Sequence, residues 1–378
     1  MRKIVSVSFG TQPERQEVSL IHVSEMARNI ARFVPVEIVL TGPLDRQLDF
    51  DGIPVRCYSS RKVRLMKFSP FVVFYVMIKN FEFVAKLFRD FPKTDVLAVY
   101  ERFDLLYWAG FAYAKLRGLP LIYELNDILD ERAKLGRGIF RPVITFIFRF
   151  MLSNADAIIV QTNELKEIID ERFNLGNIYV VENGVNMIPS RKKAASRRLR
   201  LVFAGHLDEL HDISELLQAV SSLGGVELHV IGDGPLMEKY VSLYSGKNIF
   251  FHGRKSHAWV TGFLAGNCDL GLLSYGKIPV VKKYGLFFCP FKLLEYSAAG
   301  LGSITLQYSN SFIGEFEKKG ACILAKDVRD LSDKITELRD NRETVKKMGF
   351  AAKKLSEKFT WERAAALTWR VIHEASSR

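Results

Sequence analysis

The sequence predicts an α/β protein built from two Rossmann-like, doubly wound parallel-sheet domains facing a cleft. Three observations predict it. The chain has 378 residues, 48% of them hydrophobic, which is more than one core ordinarily organises. Short β-branched runs alternate with helical stretches along its whole length, the pattern of strands joined by crossover helices. Near the middle, "NMIPSRKKAASRR" (residues 186–198) is basic, carries a proline and almost lacks large apolar residues, so it separates two such series.

In chain order, the first series of strands is read at "KIVSVSF", "PVEIVL", "DVLAVY", "PLIYEL", "AIIVQT" and "IYVVEN". After the linker the pattern restarts at "RLVFAG", "VELHVIGDG", "NIFFHG", "CDLGLLS", "LGSITL" and "ACILA". The first domain is therefore assigned to residues 1–188 and the second to residues 189–360, with residues 361–378 forming a C-terminal helix that packs back on the first domain. In doubly wound sheets ligands bind beyond the carboxyl ends of the strands, so the loops after strands are where chemistry is expected.

The formal charge of +12 asks for an anionic partner. No nucleic-acid module is visible, neither an RNP aromatic pair nor a GXXG loop nor paired zinc ligands, so nucleic acid is not expected as a partner. An anionic membrane surface or a phosphorylated substrate accounts for the charge better. There is no run of 18 or more apolar residues, and "MRKIVSVSFG" is a charged start followed by a short strand; a cytoplasmic protein is expected. Cys57, Cys268, Cys289 and Cys322 lie far apart in apolar contexts, which fits reduced, buried thiols and not a zinc site. No Asp-x-Asp falls in a convincing loop, and neither a metal nor a cofactor is expected.

The stretch "CPFKLLEYSAAG" (289–300) reads as a short helix with Pro290 at its first position and Gly300 at its end. Lys292 and Glu295, three apart, share one face near the amino end, opposite Phe291, Leu294 and Ala298. A helix amino end attracts anions, so a lysine beside it suits phosphate and a carboxylate one turn on suits sugar hydroxyls. An ordinary amphipathic helix with an exposed ion pair would look the same. Gly205, Gly232 and Gly234, and the pair Gly253-Arg254, sit in loops after strands of the same domain, where a missing side chain lets backbone approach a ligand. Each alone is a routine βα turn.

Taken together, "ADAIIVQTNELKEII", "IYVVENGVN", "LVFAGHL", "HDISELLQAV", "HVIGDGPLMEKY", "IFFHG" and "PFKLLEYSAAG", in that order, resemble the GT4-type retaining glycosyltransferases of the GT-B fold. The segment "VYERFDLLYWAGFAYAKLRGLPLIYELNDILDE" is similar to one branch of that family. The resemblance implies a nucleotide diphosphate sugar, UDP- or GDP-linked, bound by the second domain. Glu295 would hold the ribose hydroxyls and Lys292 the diphosphate, with Gly205, His206, His211, Gly232, Gly234, Arg254 and Leu294 completing the donor site. It implies an acceptor in the first domain, assigned to Gly10, Thr11, Tyr100, Glu101, Arg102 and Glu124.

The chain departs from the family at three places. The first glutamate of the E-x7-E motif is replaced by Phe287. His206 and His211 stand where many relatives carry arginine and lysine. Asn126, followed by Asp127, replaces a histidine. An amide cannot act as a general base, but front-face attack, in which the leaving diphosphate takes the acceptor proton, makes a dedicated base dispensable. Lys292, Asn126 and Asp127 are the expected catalytic residues, acting by positioning and by stabilising the departing diphosphate; Glu124, Asp127 and Glu131 are the alternatives to Asn126.

The reading is a retaining, metal-independent hexosyltransferase acting on a glycan or lipid-linked acceptor in cell-surface polysaccharide or glycolipid synthesis. The alternative is a catalytically silent GT-B protein that binds a nucleotide sugar or glycan. Residues 61–93 mix Arg61, Lys62, Arg64, Lys67, Lys79, Lys86, Arg89 and Lys93 with aromatics including Phe68, Phe71, Phe74 and Tyr75, and "GRGIFRPVITFIFRFMLSN" repeats the mix. Such stretches could lie on the inner face of the cytoplasmic membrane, or be core helices facing the sheet.

Overall fold

The computed structural model describes residues 2–13, 18–60, 70–128, 141–190, 196–246 and 248–377. The chain divides into two compact units, residues 1–183 with 361–378, and residues 184–360. The change of unit thus falls at 183/184, before the basic stretch to which the boundary was assigned.

The first unit contains β1 (Lys3–Ser8), α1 (Val18–Ile30), β2 (Val36–Gly42), β3 (Arg46–Phe50), β4 (Ile53–Ser59), α2 (Pro70–Asp90), β5 (Val96–Arg102), α3 (Ala109–Arg117), β6 (Leu121–Leu125), α4 (Arg141–Ser153), β7 (Ala157–Val160), α5 (Asn163–Phe173) and β8 (Ile178–Val180). The strands form one eight-stranded sheet in the order β3-β4-β2-β1-β5-β6-β7-β8. All pairs are parallel except β3 with β4. That hairpin was not among the expected strands. Its turn is Asp51-Gly52, both at positive φ (51° and 89°), the Asp-Gly signal of a two-residue hairpin. Strand β3, "RQLDF", is mostly exposed and polar, a solvated edge with no hydrophobic run to betray it.

The second unit contains β9 (Leu199–Ala204), α6 (Ser214–Ser221), β10 (Val226–Ile231), α7 (Met237–Tyr244), β11 (Ile249–Gly253), α8 (His257–Asn267), β12 (Leu270–Leu273), α9 (Pro279–Tyr284), α10 (Phe291–Ala298), β13 (Gly302–Leu306), α11 (Ser311–Lys318), β14 (Cys322–Ala325), α12 (Val328–Asp340) and α13 (Arg342–Ser356). Its six strands run parallel in the order β11-β10-β9-β12-β13-β14. Alternation along β9 divides the core: Leu201 and Phe203 join the cluster under α6 and α12, while Val202 and Ala204 join that under α10 and α13. All four cysteines are buried thiols outside any disulfide.

The chain then returns to the first unit as α14 (Trp361–Ser376), which packs on α1. Trp361 meets His22 edge-on at 5.1 Å, and Trp369 stacks on Phe33 at 6.2 Å. Both sheets reverse strand order at a switch point, between β1 and β5 in one and between β9 and β12 in the other, which is where such sheets bind ligands. Among the described residues no helix is long and apolar enough to cross a membrane.

Candidate functional site

The residues assigned to the donor lie at the carboxyl ends of β9, β10 and β11 and on the first turns of α10. Pro290 is the N-cap of α10 and Phe291 its first residue, one position later than expected, and Gly300 leaves the helix at positive φ (74°). Lys292, on the first turn, lies beneath the loop after β9. A Cβ on Gly205 would come within 2.4 Å of the Lys292 Cε, and one on Gly232 within 1.9 Å of the Gly205 carbonyl oxygen. Both glycines have positive φ (156° and 141°), so these two turns admit no side chain. Backbone bonds join the loops: Gly205 N–H to Ile231 O at 2.9 Å, Leu207 N–H to Asp233 O at 2.9 Å and Gly232 N–H to Gly253 O at 3.0 Å.

Burial pushes the Lys292 ammonium down to about 8, against the pull of Asp208 and Glu295, whose charges favour the protonated form. Its Nζ lies 5.1 Å from the centre of the Phe203 ring and 5.8 Å from that of Tyr275. A desolvated cation with aromatic walls and, among the described residues, no ion pair of its own at contact distance suits an anionic ligand. Glu295 accepts from His257 Nε2 at 2.7 Å.

Around them, His211 Nδ1 lies 3.0 Å from Asp208 Oδ1, while His206 is exposed, with Nδ1 3.7 Å from Asp233. Burial pushes the Asp208 carboxyl up, but the hydrogen bonds and charge of His211 outweigh it and bring it to about 2. His211, one of the two histidines assigned to the donor site, is thus turned to a carboxylate. Leu294, assigned to the donor site, has its side chain fully buried in the core, so only its backbone is left to face a ligand. Arg254 is exposed on the loop after β11. Phe287, where the family's first glutamate would stand, is also buried.

In the first unit, Tyr100 and Arg102 on β5 and Glu124 on β6 converge on one face of the sheet, with His22 of α1 closing over them. Tyr100 Oη donates to Glu124 Oε2, His22 Nε2 lies 3.4 Å and Arg102 Nη1 3.7 Å from Glu124 Oε1, and Asn126 Nδ2 donates to Oε1 at 2.8 Å. Burial pushes the Glu124 carboxyl up, but His22, Arg102 and these hydrogen bonds outweigh it and hold it below the ordinary carboxylate value. Burial drives His22 down to about 4.

Glu101 does not join this group. Alternation turns it to the opposite face, where its Oε2 would lie 2.6 Å from a Cβ on Gly110, and burial and then Asp104 hold its carboxyl well above the ordinary range. Buried under α3 on the other face of the sheet, Glu101 stands apart from Tyr100, Arg102 and Glu124, with which it was assigned to the acceptor. Gly10 follows β1 and faces Asp104, whose Oδ2 would be 2.8 Å from its Cβ; Thr11 is buried and bonded to Ser8 at 2.8 Å. Asp127 Oδ1 accepts the Ile128 N–H at 2.8 Å, and Glu131 lies outside the described residues.

Sequence reasoning missed four participants: Asp208, His257, Gln161 and His22. The first two had a signal, since Asp208 lies between the two histidines considered and Ser256 is an N-cap residue that sets His257 on the first turn of α8. His22 had none; its contact to Glu124 spans distant chain segments.

Residues 21–187 match Glycosyltransferase Family 4. An uncharacterized glycosyltransferase of Methanocaldococcus jannaschii is 28% identical over 237 residues, which are 61% of this chain and 63% of that protein's own length. Sucrose-phosphate synthase from Thermosynechococcus elongatus shares the fold with a TM-score of 0.77 at 14% identity, over 99% of both chains. The Anabaena protein HepE, in complex with UDP and glucose, does so with a TM-score of 0.71 at 14% identity, over the whole of both chains. With its two parallel-sheet units the chain has the GT-B fold, and the Glycosyltransferase Family 4 match spans residues 21–187 of it.

Proposed function

We propose that the protein transfers a hexose-type sugar, with retention and without a metal, from a nucleotide diphosphate sugar to a glycan or lipid-linked acceptor of cell-surface polysaccharide or glycolipid synthesis. The observation that carries the reading is Lys292, a desolvated ammonium under the Gly205 loop with the Glu295 carboxylate one turn on. Lys292 and the first amides of α10 take the diphosphate, and their charge counts most as it departs; Glu295 takes the ribose hydroxyls. UDP is the favoured nucleotide, because HepE, which shares the fold, has UDP and glucose bound.

No group of the first unit is required as a base: Asn126 does not titrate, and the leaving diphosphate accepts the acceptor's proton. Asp127 orients the backbone beside it. Phe287 favours a second reading, a silent binder, because a buried phenyl cannot contact a transferred sugar as a glutamate would.

A lipid-linked acceptor fits the surface of the first unit. Met77, Ile78 and Phe81 of α2 and Val143, Phe146, Ile147 and Phe150 of α4 are exposed, and Phe111 of α3 touches Phe150 at 5.9 Å between ring centres. Neither helix is wholly a core helix, and a face of this kind lies in a membrane interface. The basic residues expected beside it, Arg61 to Lys67, lie outside the described residues. Incubation with UDP-glucose, UDP-galactose, UDP-N-acetylglucosamine and GDP-mannose, with and without lipid extract, tests the reading: nucleotide release that depends on lipid supports it, and affinity without turnover supports the silent binder.

A further inference from the structure

A chain of side-chain amides runs across the carboxyl ends of β6, β7 and β8 and ends on one carboxylate. Asn183 Nδ2 donates to Gln161 Oε1 at 3.1 Å, Gln161 Nε2 donates to Asn126 Oδ1, and Asn126 Nδ2 donates to Glu124 Oε1 at 2.8 Å. Which way an amide points is fixed by its neighbours. Here the fixed point is Glu124: Tyr100, His22 and Arg102 all aim at it, so it is a pure acceptor, and only the nitrogen of Asn126 can face it. The polarity then propagates, since Asn126 Oδ1 must meet the nitrogen of Gln161. Glu124, Gln161 and Asn183 are buried, whereas Asn126 is only half-buried at the end of β6.

We infer that Glu124 is a positioning residue that fixes the two ends of the Asn126 amide, so that Asn126 serves the reaction as a directed N–H donor to a substrate oxygen. One N–H of Asn126 is used on Glu124, and the second has no partner among the described residues. A charge-assisted bond polarises and orients the amide more strongly than a neutral one. The inference rests on the proposed transferase reading for its kinetic consequence alone; the lock itself is a property of the first unit.

The test combines turnover with the side-chain amide spectrum of selectively 15N-Asn-labelled full-length protein, the Asn126 pair being identified by its loss in Asn126→Ala. In the wild type the two Asn126 protons should be well separated, one shifted downfield by Glu124; Glu124→Gln should bring them together and lower kcat about 10- to 100-fold with donor and acceptor KM little changed. Gln161→Met, which neither donates nor accepts, leaves Glu124 in command and should cost little, whereas Gln161→Glu sets an acceptor against Asn126 Oδ1 and should cost as much as Glu124→Gln. An Asn126 pair unmoved in Glu124→Gln, or equal losses in Gln161→Met and Gln161→Glu, overturns the inference. If Glu124→Gln does not fold, the Gln161 pair still decides. A wild-type spectrum showing the lock without any turnover counts against the transferase reading and not against the lock.

Discussion

His257 Nε2 and Glu295 Oε1 are 2.7 Å apart, linking the first turn of α8 to the first turns of α10. A carboxylate has about four lone-pair sites, so one bond to histidine leaves room for two ribose hydroxyls. The bond therefore prepares Glu295 instead of blocking it. His257→Ala is expected to weaken nucleotide binding by about 3- to 10-fold, the worth of roughly one hydrogen bond, and His257→Gln to weaken it less. Calorimetric titration with UDP checks this; tighter binding in His257→Ala would mean that the histidine competes with the ribose.

Lys292 opposes folding, whatever it contributes to the proposed binding of a diphosphate. Its folded value, about 8, lies below the ordinary lysine value near 10.4, so the unfolded chain holds the extra proton between those limits. The sign follows: this group's share of stability rises as pH increases from 8 towards 10.4, and at neutral pH its charge is a cost. Lys292→Met should raise the melting temperature by about 2–4 °C at pH 7 while nearly abolishing diphosphate binding. A fall in melting temperature would show that the ammonium is better solvated than its surroundings imply.

His22 gives the first unit a sensitivity to acid. Its folded value is near 4 against an unperturbed 6.5. Only the unfolded chain binds the proton in that window, so stability falls as pH drops from 6.5 towards 4, by roughly 3 kcal/mol for a shift of this size. Urea unfolding at pH 7 and pH 4.5 should show His22→Gln losing less stability than the wild type. An identical loss would place the acid sensitivity elsewhere.

Gly232 faces backbone, and backbone cannot swing aside. Gly232→Ala puts a methyl against the Gly205 carbonyl and is expected to cost about 1–3 kcal/mol and to weaken nucleotide binding. Gly253→Ala, with open space around its Cβ but φ of 66°, should cost about 1–2 kcal/mol from the left-handed backbone and leave the Gly205 loop in place. Thermal unfolding and UDP titration of both variants separate the two effects; equal loss of binding would deny the Gly232–Gly205 contact its role.

The central strands of both sheets were legible because they are compact apolar runs buried on both faces, as "KIVSVS" and "LRLVFA" show. The β3–β4 hairpin escaped because an exposed, charged edge strand reads as a loop, although Asp51-Gly52 carried the turn signal. In the site, Lys292 and Glu295 were legible through local helical spacing. The faces taken by Leu294 and Glu101 were not: each was assigned by its neighbours in sequence, and the packing of its own element turned it inward. The ring around Glu124 was illegible for a different reason. Its members come from α1, β5, β6 and the loops after β6, β7 and β8, and only the closed sheet brings them together.

The central claim is that the second unit holds a nucleoside diphosphate between Lys292 and Glu295. Calorimetric titration of UDP into the wild type and Glu295→Ala tests it most directly. The account predicts saturable binding to the wild type, weakened about 10- to 100-fold in Glu295→Ala for the loss of a charged hydrogen-bond acceptor. Equal affinity in the two proteins, with the variant folded, would contradict it.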